Sequence, residues 1–490
     1  GLALATALVV TAVLVSGGAV TPPPLALAGV VALTAYFVWT VLSLSWAPVP
    51  SLGKEEAQLV LFYATALALP LLLLRQAQER VTVLATLALV PGGLAIATGV
   101  RLVSAADPGA LFFDGRLNSP IAYANASAAL FLIGVWPALA LVAGRVVPPL
   151  LRVAAAGCAA ASFAGWIATQ SKGGAVGLGV SAVAVFLVAQ GRLRLAVATL
   201  IGAVPAAVAA IPLTAPYRES GGSAAAGSGR AILIVAGVGM LAAALYVAAD
   251  RRVSLSERSI RIAGRLVLAV VSLVAVAGIA LLLDRTGRPD ESLARAWDSF
   301  SEYHPDTGTS GTHLASLGGS NRYDFWRVSL SGAAGAPLQG IGARGFGPRY
   351  LQEGRSAETP ARGHSLVFDV LLEQGMVGVL LLTAAVGPLL LLVIRAARHR
   401  RLHGIAALGG CVGWLAHAAV DWIWTFPAVG ILFFVLLGVG ASREGPLVPR
   451  RSGLGVGGIL AVAAVAVLAL PWLSARLTER ALSSPGRAEA

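Results

Sequence analysis

Long apolar runs separated by short polar breaks dominate the chain. The runs are about 18–25 residues long, which is the length that an α-helix needs to cross a bilayer. Strands of a membrane barrel would instead be about 10 residues long, with alternating polarity. The pattern therefore predicts an all-α polytopic membrane protein with about 12–14 transmembrane helices. We expect spans near residues 2–20, 25–45, 57–74, 81–103, 119–143, 149–168, 173–190, 194–212, 229–249, 264–283, 366–394, 404–420, 424–441 and 454–473.

The composition also indicates that most of the chain is embedded in lipid. Hydrophobic residues make up 57% of the 490 residues and charged residues only 12%. One water-soluble core could not bury so much apolar surface, because single cores stop growing near roughly 250–300 residues. Both cysteines, Cys158 and Cys411, fall in apolar runs. They are therefore expected to be buried and unbridged.

Lysine and arginine are distributed unevenly between alternate loops, and this predicts the orientation. Basic residues concentrate in the loops near 75–80, 145–152, 192–194, 251–265, 395–401 and 443–451. These loops are predicted to be cytoplasmic, which places the opposite set and both ends of the sequence outside. The net charge of +13 is then mainly a topological signal. Without a nucleic-acid motif beside it, we expect no nucleic-acid partner.

One long segment, residues 284–365, departs from this charge rule. It is predicted to be external and yet carries nine arginines. Long loops are exempt from the rule, and guanidinium groups beside a membrane suit an anionic ligand such as phosphate. The alternative is a solvated loop whose arginines pair with its own acids. The predicted organisation is an N-terminal bundle of about ten spans, this loop, a C-terminal bundle of about four spans and an external tail, over 1–283, 284–365, 366–473 and 474–490.

Three patterns in and after this loop carry candidate chemistry. SNRYDFWRVSL predicts a helix capped by Ser320 or Asn321, with Arg322 in its first turn. PLQGIGARGFGPRY is glycine-rich, contains Arg344, and its backbone N–H groups suit an oxyanion. GHSLVFDVLLEQG predicts a helix with His364 at its N-terminus.

That last helix is expected to be capped by Ser365 and to break near Gly375, before the true membrane crossing. Asp369 and Glu373 lie at i and i+4 on one face of it. Carboxyl groups next to hydrocarbon usually face a bundle interior or a wet cavity.

Three polar islands are predicted at the same external edge as the loop. They are TQSKGG, HAAVDWIWTFP and GRLNSPIAYANASAA, and their candidate residues are Lys172, His417, Asp421, Arg116, Asn118 and Asn125. Polar groups that converge on one face indicate an active site. The histidines lack metal-ligand spacing, so no metal and no cofactor is expected.

The ordered series of motifs resembles the O-antigen ligase and Wzy-type polymerase superfamily of membrane glycosyltransferases. The series is SWAP, NSPIAYAN, TQSKGG, NRYDFW, GIGARGFG, HSLVFDVLLEQGMVG and HAAVDWIW, between residues 45 and 424. The resemblance implies a C-type glycosyltransferase-like helical fold. It also implies metal-independent transfer of a glycan from a polyprenyl-diphosphate carrier to an acceptor hydroxyl outside the cell membrane.

The resemblance also assigns roles to residues. Arg322 and Lys172 would bind the diphosphate, and His364 would be the catalytic base or a phosphate ligand. Arg344 of the glycine-rich segment is a further candidate for diphosphate binding. Further candidates for substrate binding are Arg116, Asn118, Asn125, Glu373, His417 and Asp421. Two positions depart from the family pattern. Lys172 stands where arginine is usual and lacks the bidentate fork, and Ser365 stands where asparagine is usual.

Two other functions remain open from the sequence. The function expected first is that of a ligase, and the nearest alternative is a polymerase that extends the lipid-linked glycan, which the motifs do not separate well from a ligase. The acceptor is open between a glycan, a lipid and a protein. A transporter or lipid flippase is a more distant alternative. Transporters often contain internal repeats and charges near the bilayer midplane, whereas the charges here cluster at the outer edge.

Overall fold

The computed structural model describes residues 2–15, 17–219, 221–252, 262–270, 321–356 and 358–449, with a few further residues between 258 and 301 and between 451 and 480. The predicted spans near 264–283 and 454–473, the tail and much of the loop before residue 321 lie largely outside these residues. Within them the chain is helical, and the all-α polytopic membrane class is confirmed.

Sixteen α-helices are described in this part of the chain. They are α1 Leu2–Val15, α2 Pro24–Ser43, α3 Pro50–Leu73, α4 Ala77–Ser104, α5 Ala124–Ile133, α6 Val135–Ala143, α7 Pro149–Thr169, α8 Lys172–Val188, α9 Arg192–Val208, α10 Ala210–Arg218, α11 Gly222–Arg252, α12 Arg322–Gly335, α13 Phe346–Glu353, α14 Leu366–Arg398, α15 Leu402–Ala418 and α16 Pro427–Ala441. Two short strands, β1 Phe112–Phe113 and β2 Arg116–Leu117, pair antiparallel. Two 3₁₀ turns cover Pro108–Leu111 and Ile423–Thr425.

Among the described residues, seven helices are long and apolar enough to cross a bilayer. Helices α5 and α6 count as one of these seven. Helices α9 and α10 form an eighth if the 42° bend between them lies within one span, and α8, α15 and α16 are shorter apolar helices. Several helices start on proline, whose missing N–H costs nothing in a first turn. The cysteines Cys158 and Cys411 are buried and unbridged, as predicted.

The predicted break at Gly375 is present. This residue has φ 63° and ψ −167° inside α14, a conformation that glycine adopts without strain. A Cβ there would lie 2.3 Å from the carbonyl oxygen of Leu338. The backbone N–H of Met376 donates to the Pro337 carbonyl at 2.8 Å. The break therefore lets the glycine-rich segment pack directly on the start of the crossing.

The helix directions define two ends of the bundle. Helix α14 starts at the end where α5 and α8 also start and where α7 and α15 finish, and we name this the site end. Helix α14 finishes at the opposite end, where α15 starts and α16 finishes. Helix α15 packs on α8, α14 and α16, and α14 packs on α2. Polar segments that are distant in the sequence thereby meet at the site end.

Candidate functional site

Asp421 is the centre of a buried polar cluster at the site end. It lies between α15 and α16 and is 0% exposed. Its Oδ1 accepts hydrogen bonds from the Tyr123 hydroxyl at 2.9 Å and the Trp422 backbone at 2.9 Å. Its Oδ2 accepts from Asn125 Nδ2 at 2.6 Å and from an Arg322 terminal nitrogen at 2.8 Å. One carboxylate thus joins three segments of the chain.

The charge of Asp421 is stabilised by these neighbours. Burial by itself would raise the pKa of Asp421, but the positive charge of Arg322 and the hydrogen bond from Tyr123 act against it, and the pKa lies below its ordinary value. The carboxylate is therefore ionised at neutral pH. A buried charge needs partners, and here a guanidinium, an amide and a phenol supply them.

Arg116 extends the cluster through Asn125. A terminal nitrogen of Arg116 donates to Asn125 Oδ1 at 2.6 Å, and its Nε donates to the Thr169 carbonyl at 3.0 Å. The residue sits on β2, directly after the Asp114–Gly115 turn. Both turn residues have positive φ, 48° and 68°, as tight hairpins require. Burial lowers the pKa of Arg116. The turn positions the guanidinium so that its two acceptors offset part of the loss of solvation.

Asn118 enters the site only through its backbone. Its N–H donates to the Leu111 carbonyl at 2.9 Å, and its carbonyl accepts from the Ser127 hydroxyl at 3.1 Å. These bonds fix the chain just before α5. Within the described part of the chain, Asn118 thus orients the segment that presents Asn125.

Arg322 is the first residue of α12, at the position that the sequence predicts. The cap residue is Asn321, in the left-handed region at φ 57°. Its side chain donates to Glu358 Oε1 at 2.6 Å and does not cap the helix. The Arg322 side chain is 19% exposed, so the guanidinium is bound to Asp421 on one side and reaches solvent on the other.

His364 stands beside this cluster in the left-handed region, at φ 55°. Its Nδ1 lies 3.0 Å from the Arg362 carbonyl. Because a carbonyl only accepts, Nδ1 carries the proton and Nε2 of the neutral ring is left with its lone pair. The ring lies 5.1 Å from that of Phe325 and 5.4 Å from that of Trp422, between centroids. Burial and, more weakly, Arg322 lower the pKa of His364 although Asp421 opposes them, so the imidazole is neutral at neutral pH.

Lys172 and His417 lie where α7, α8 and α15 meet. Ser171 caps α8 by accepting from the Gly174 backbone at 3.1 Å, and half-buried Lys172 opens the helix. The His417 Nε2 is 3.5 Å from the Ser171 hydroxyl. A Cβ on Gly173 would lie 2.5 Å from the His417 ring, so this glycine makes room for the histidine. His417 is thus a buried contact between α15 and α8.

A second charged cluster centres on Arg362, which is 2% exposed. It pairs with Glu56 of α3 and, at 3.5 Å, with Glu373 of α14. Its guanidinium carbon lies 5.4 Å from the Trp424 ring. Burial lowers the pKa of Arg362, but Glu56, Glu373 and Asp369 raise it further, so the pKa is above its ordinary value.

Glu373 organises the glycine-rich segment from within this second cluster. Its Oε2 accepts the Arg344 backbone N–H at 2.9 Å, and Oε1 accepts that of Phe346 at 3.4 Å. Arg344 is half-buried, and burial together with nearby Arg362 lowers its pKa although Glu373 opposes them. Both oxygens of Glu373 are thus engaged by the protein itself.

The structure therefore places most of the candidate residues in two groups, apart from Lys172 and His417 at the junction of α7, α8 and α15. Arg116, Asn125, Arg322, His364 and Asp421 meet at one place, with Tyr123 as a member whose role the sequence did not assign. Glu373 and Arg344 belong to the neighbouring cluster around Arg362. Arg362 and Glu56 were not candidates, and the only local signal was that Arg362 stands two residues before His364.

An apolar cavity of about 270 Å³ lies beside the second cluster, between α2, α3, α14, α15 and α16. Tyr36, Tyr63, Trp414, Trp424 and Phe433 are among its lining residues. Trp424 contacts Arg362 and also lines this cavity. An apolar space therefore adjoins the charged groups of the site end. In the described part of the chain, no group of three or more His, Cys, Asp or Glu residues is placed to hold a metal ion.

A family model described as O-antigen ligase matches residues 220–383, about one third of the chain. The match includes Arg322, Arg344, His364 and Glu373 and stops before Asp421. No curated protein matches the chain. The family supports a membrane glycosyltransferase of the ligase or polymerase type. The resemblance predicted from the ordered motifs is confirmed by this match over residues 220–383, and the chain is a multi-pass, all-helical membrane protein.

Proposed function

We propose that this protein transfers a glycan from a polyprenyl-diphosphate carrier to an acceptor hydroxyl at the external face of the cell membrane. The observation that carries the proposal is the meeting of Arg322, His364 and Asp421. This arrangement places the partly exposed guanidinium of Arg322 near the neutral imidazole of His364, whose Nε2 has a lone pair available. Glycosyl transfer from a diphosphate needs these two groups, one for the leaving group and one for the attacking hydroxyl.

The chemical step is a direct inverting displacement. The acceptor oxygen attacks the anomeric carbon while the bond from that carbon to the diphosphate oxygen breaks. The proton of the hydroxyl passes to His364 Nε2, and the polyprenyl diphosphate leaves with the electron pair. Arg322, Lys172 and Arg344 are the cations that stabilise the negative charge on the departing diphosphate. Asp421 orients Arg322 and stabilises the imidazolium that forms.

The apolar cavity supports a lipid-linked donor. A cavity of about 270 Å³ with aromatic and aliphatic walls suits part of an isoprenoid chain and adjoins the charged site end. On this proposal, residues 284–365 are the external catalytic segment of the sequence, between the N-terminal part over 1–283 and the C-terminal part over 366–473. Arg116, Asn118, Asn125, His417 and Asp421 shape the glycan side. Glu373 positions Arg344 through its backbone.

The proposal favours a ligase, which moves a finished glycan to a final acceptor, over a polymerase. A strain without this protein is therefore expected to accumulate long lipid-linked glycan. Accumulation of single lipid-linked repeat units would instead show a polymerase. Gel separation of the lipid-linked fraction distinguishes the two, with complementation by the wild-type gene as the control.

Replacing Arg322 by glutamine should lower transfer by about 10²–10³-fold, the effect of losing one donor to a developing charge. The matched control is Arg355→Gln, because Arg355 belongs to the same segment and is exposed. Transfer is measured with purified protein and a lipid-linked donor. If both variants lose the same activity, the loss reflects the surface charge of the segment and contradicts the role of Arg322.

The pH dependence of transfer should report His364. Because the pKa of His364 is lowered from 6.5, the ring remains a neutral base as pH falls through 6.5. We expect kcat/KM to stay constant from neutral pH to below 6.5 and to fall as the ring becomes protonated. Thermal unfolding at each pH controls for loss of fold. A decline centred at or above 6.5 would contradict this assignment.

A further inference from the structure

A second cavity, which is lined by charged residues, lies at the opposite end of the bundle from the site. Its volume is about 580 Å³, and it is lined where α4 and α15 begin and just after α6, α14 and α16 end. Helix α15 has 17 residues and runs from this cavity to the site end. At 1.5 Å per residue its length is about 25 Å. The cavity is therefore separate from the candidate site at the other end of α15.

The cavity is strongly basic. Its charged and titratable lining residues are Arg80, Arg400, Arg401, Arg443, His403 and Glu444. Four guanidinium groups thus face one carboxylate. Arg400, Arg401 and Arg443 are exposed at the mouth, whereas Arg80 is 3% exposed and forms the interior.

Arg80 is only partly satisfied by the protein. Its Nε donates to the Ser442 hydroxyl at 3.0 Å, and Nη1 is 3.9 Å from the exposed carboxylate of Glu444. Its Nη2 is buried and has no hydrogen-bond partner among the described residues. The Nε2 of His403 is likewise buried and, within the same part of the chain, unpartnered. Two buried polar atoms at one cavity are therefore without a hydrogen-bond partner in the described part of the chain.

Membrane topology alone does not account for this arrangement. The positive-inside bias requires only basic residues in loops, where water solvates them. Burying a guanidinium beside one distant carboxylate is unfavourable unless an anion compensates for the lost solvation. The arrangement points to a bound anionic group that accepts from Arg80 and His403.

The other walls of the cavity indicate which anion. Val81, Leu84 and Leu402 line it together with the arginines. A phosphate joined to an acyl glycerol would place its charge on the guanidinium groups and its apolar part on these residues. We propose that this cavity binds the phosphate group of an anionic phospholipid from the membrane leaflet at the opposite end.

The test compares three probes on the purified full chain in neutral detergent. They are a phosphatidylglycerol, a phosphatidylcholine with the same acyl chains, and inorganic phosphate at equal concentration. Native mass spectrometry counts the bound lipid, and thermal unfolding measures the stabilisation that binding to the folded state produces. We expect phosphatidylglycerol to bind and raise the Tm, and the other two probes to have much smaller effects.

Two sets of variants place the lipid in this cavity. Arg401→Gln with Arg443→Gln changes only exposed residues, so it should fold normally and bind phosphatidylglycerol about tenfold more weakly. Arg80→Gln should weaken binding at least as much. The matched control is Arg251→Gln with Arg252→Gln, two exposed arginines that do not line the cavity.

Each outcome decides the proposal. Loss of lipid in the Arg401 and Arg443 variant, with retention in the control, supports it. Equal binding by the two double variants overturns it, as does equal binding of phosphatidylcholine. If inorganic phosphate stabilises the wild type as strongly as the lipid does, a free anion is the ligand and the lipid assignment is wrong.

Discussion

Replacing His364 by glutamine is expected to lower the rate of glycan transfer by about 10²–10⁴-fold, the usual contribution of a general base. The Nδ1 of His364 donates to the Arg362 carbonyl at 3.0 Å, which directs Nε2 away from the backbone and leaves it able to take a proton. Glutamine offers an amide that can keep the backbone contact but cannot act as a base near neutral pH. The variant should therefore fold, bind the donor and fail at proton transfer.

The measurement is single-turnover transfer with purified protein, alongside binding of the lipid-linked donor and thermal unfolding. The control is His399→Gln, the same change at an exposed residue at the opposite end of α14. We expect wild-type activity in this control. Near-wild-type turnover in His364→Gln would exclude His364 as the base and leave Arg322 without its proposed partner in catalysis.

Replacing Arg362 by methionine is expected to lower the free energy of unfolding by about 3–5 kcal/mol, the cost of leaving buried charges without a partner. Arg362 is 2% exposed and pairs with Glu56 and Glu373, while Asp369 lies close enough to raise its pKa. Methionine fills much of the volume but leaves these carboxyl groups without a cation. The loss should appear as a large fall in Tm and in yield from the membrane.

The control is Arg349→Met, which breaks the partly exposed pair between Arg349 and Glu353 at 2.6 Å. Such pairs contribute about 0–1 kcal/mol, so a small change in Tm is expected. Adding Glu56→Gln to Arg362→Met should recover part of the loss because it removes one buried charge. Equal Tm values for the Arg349 and Arg362 variants would show that the cluster around Arg362 contributes little to stability.

Local signals in the sequence predicted several details correctly. Ser365 accepts from the Phe368 backbone at 3.4 Å and caps α14 as expected, because capping depends on residues within one turn. The break at Gly375 was predicted from the excessive length of one apolar run that contains a glycine. The distribution of lysine and arginine between loops predicted that several polar segments lie on the same side of the membrane. In the structure these segments bring together Arg116, Asn125, Arg322 and Asp421.

Other features depend on contacts that no local pattern contains. Arg362 pairs with Glu56 across 306 positions of sequence, and neither residue differs in its local setting from other charged residues. Glu373 is a candidate for substrate binding, and its carboxylate also accepts hydrogen bonds from the backbone of Arg344 and Phe346, a contact with a distant segment that no local pattern indicates. Asn321 occupies one of the two predicted cap positions, but its amide nitrogen donates to Glu358 and its side-chain oxygen does not accept from the helix backbone.

The position of Asp421 near the end of the described chain has a consequence for biosynthesis. The ribosome releases Asn125 first, then Arg322, and only later the carboxylate to which both side chains donate. Until Asp421 has been added, the Arg322 guanidinium lacks its buried acid. The cluster can therefore close only after nearly all of the described helices have been synthesised.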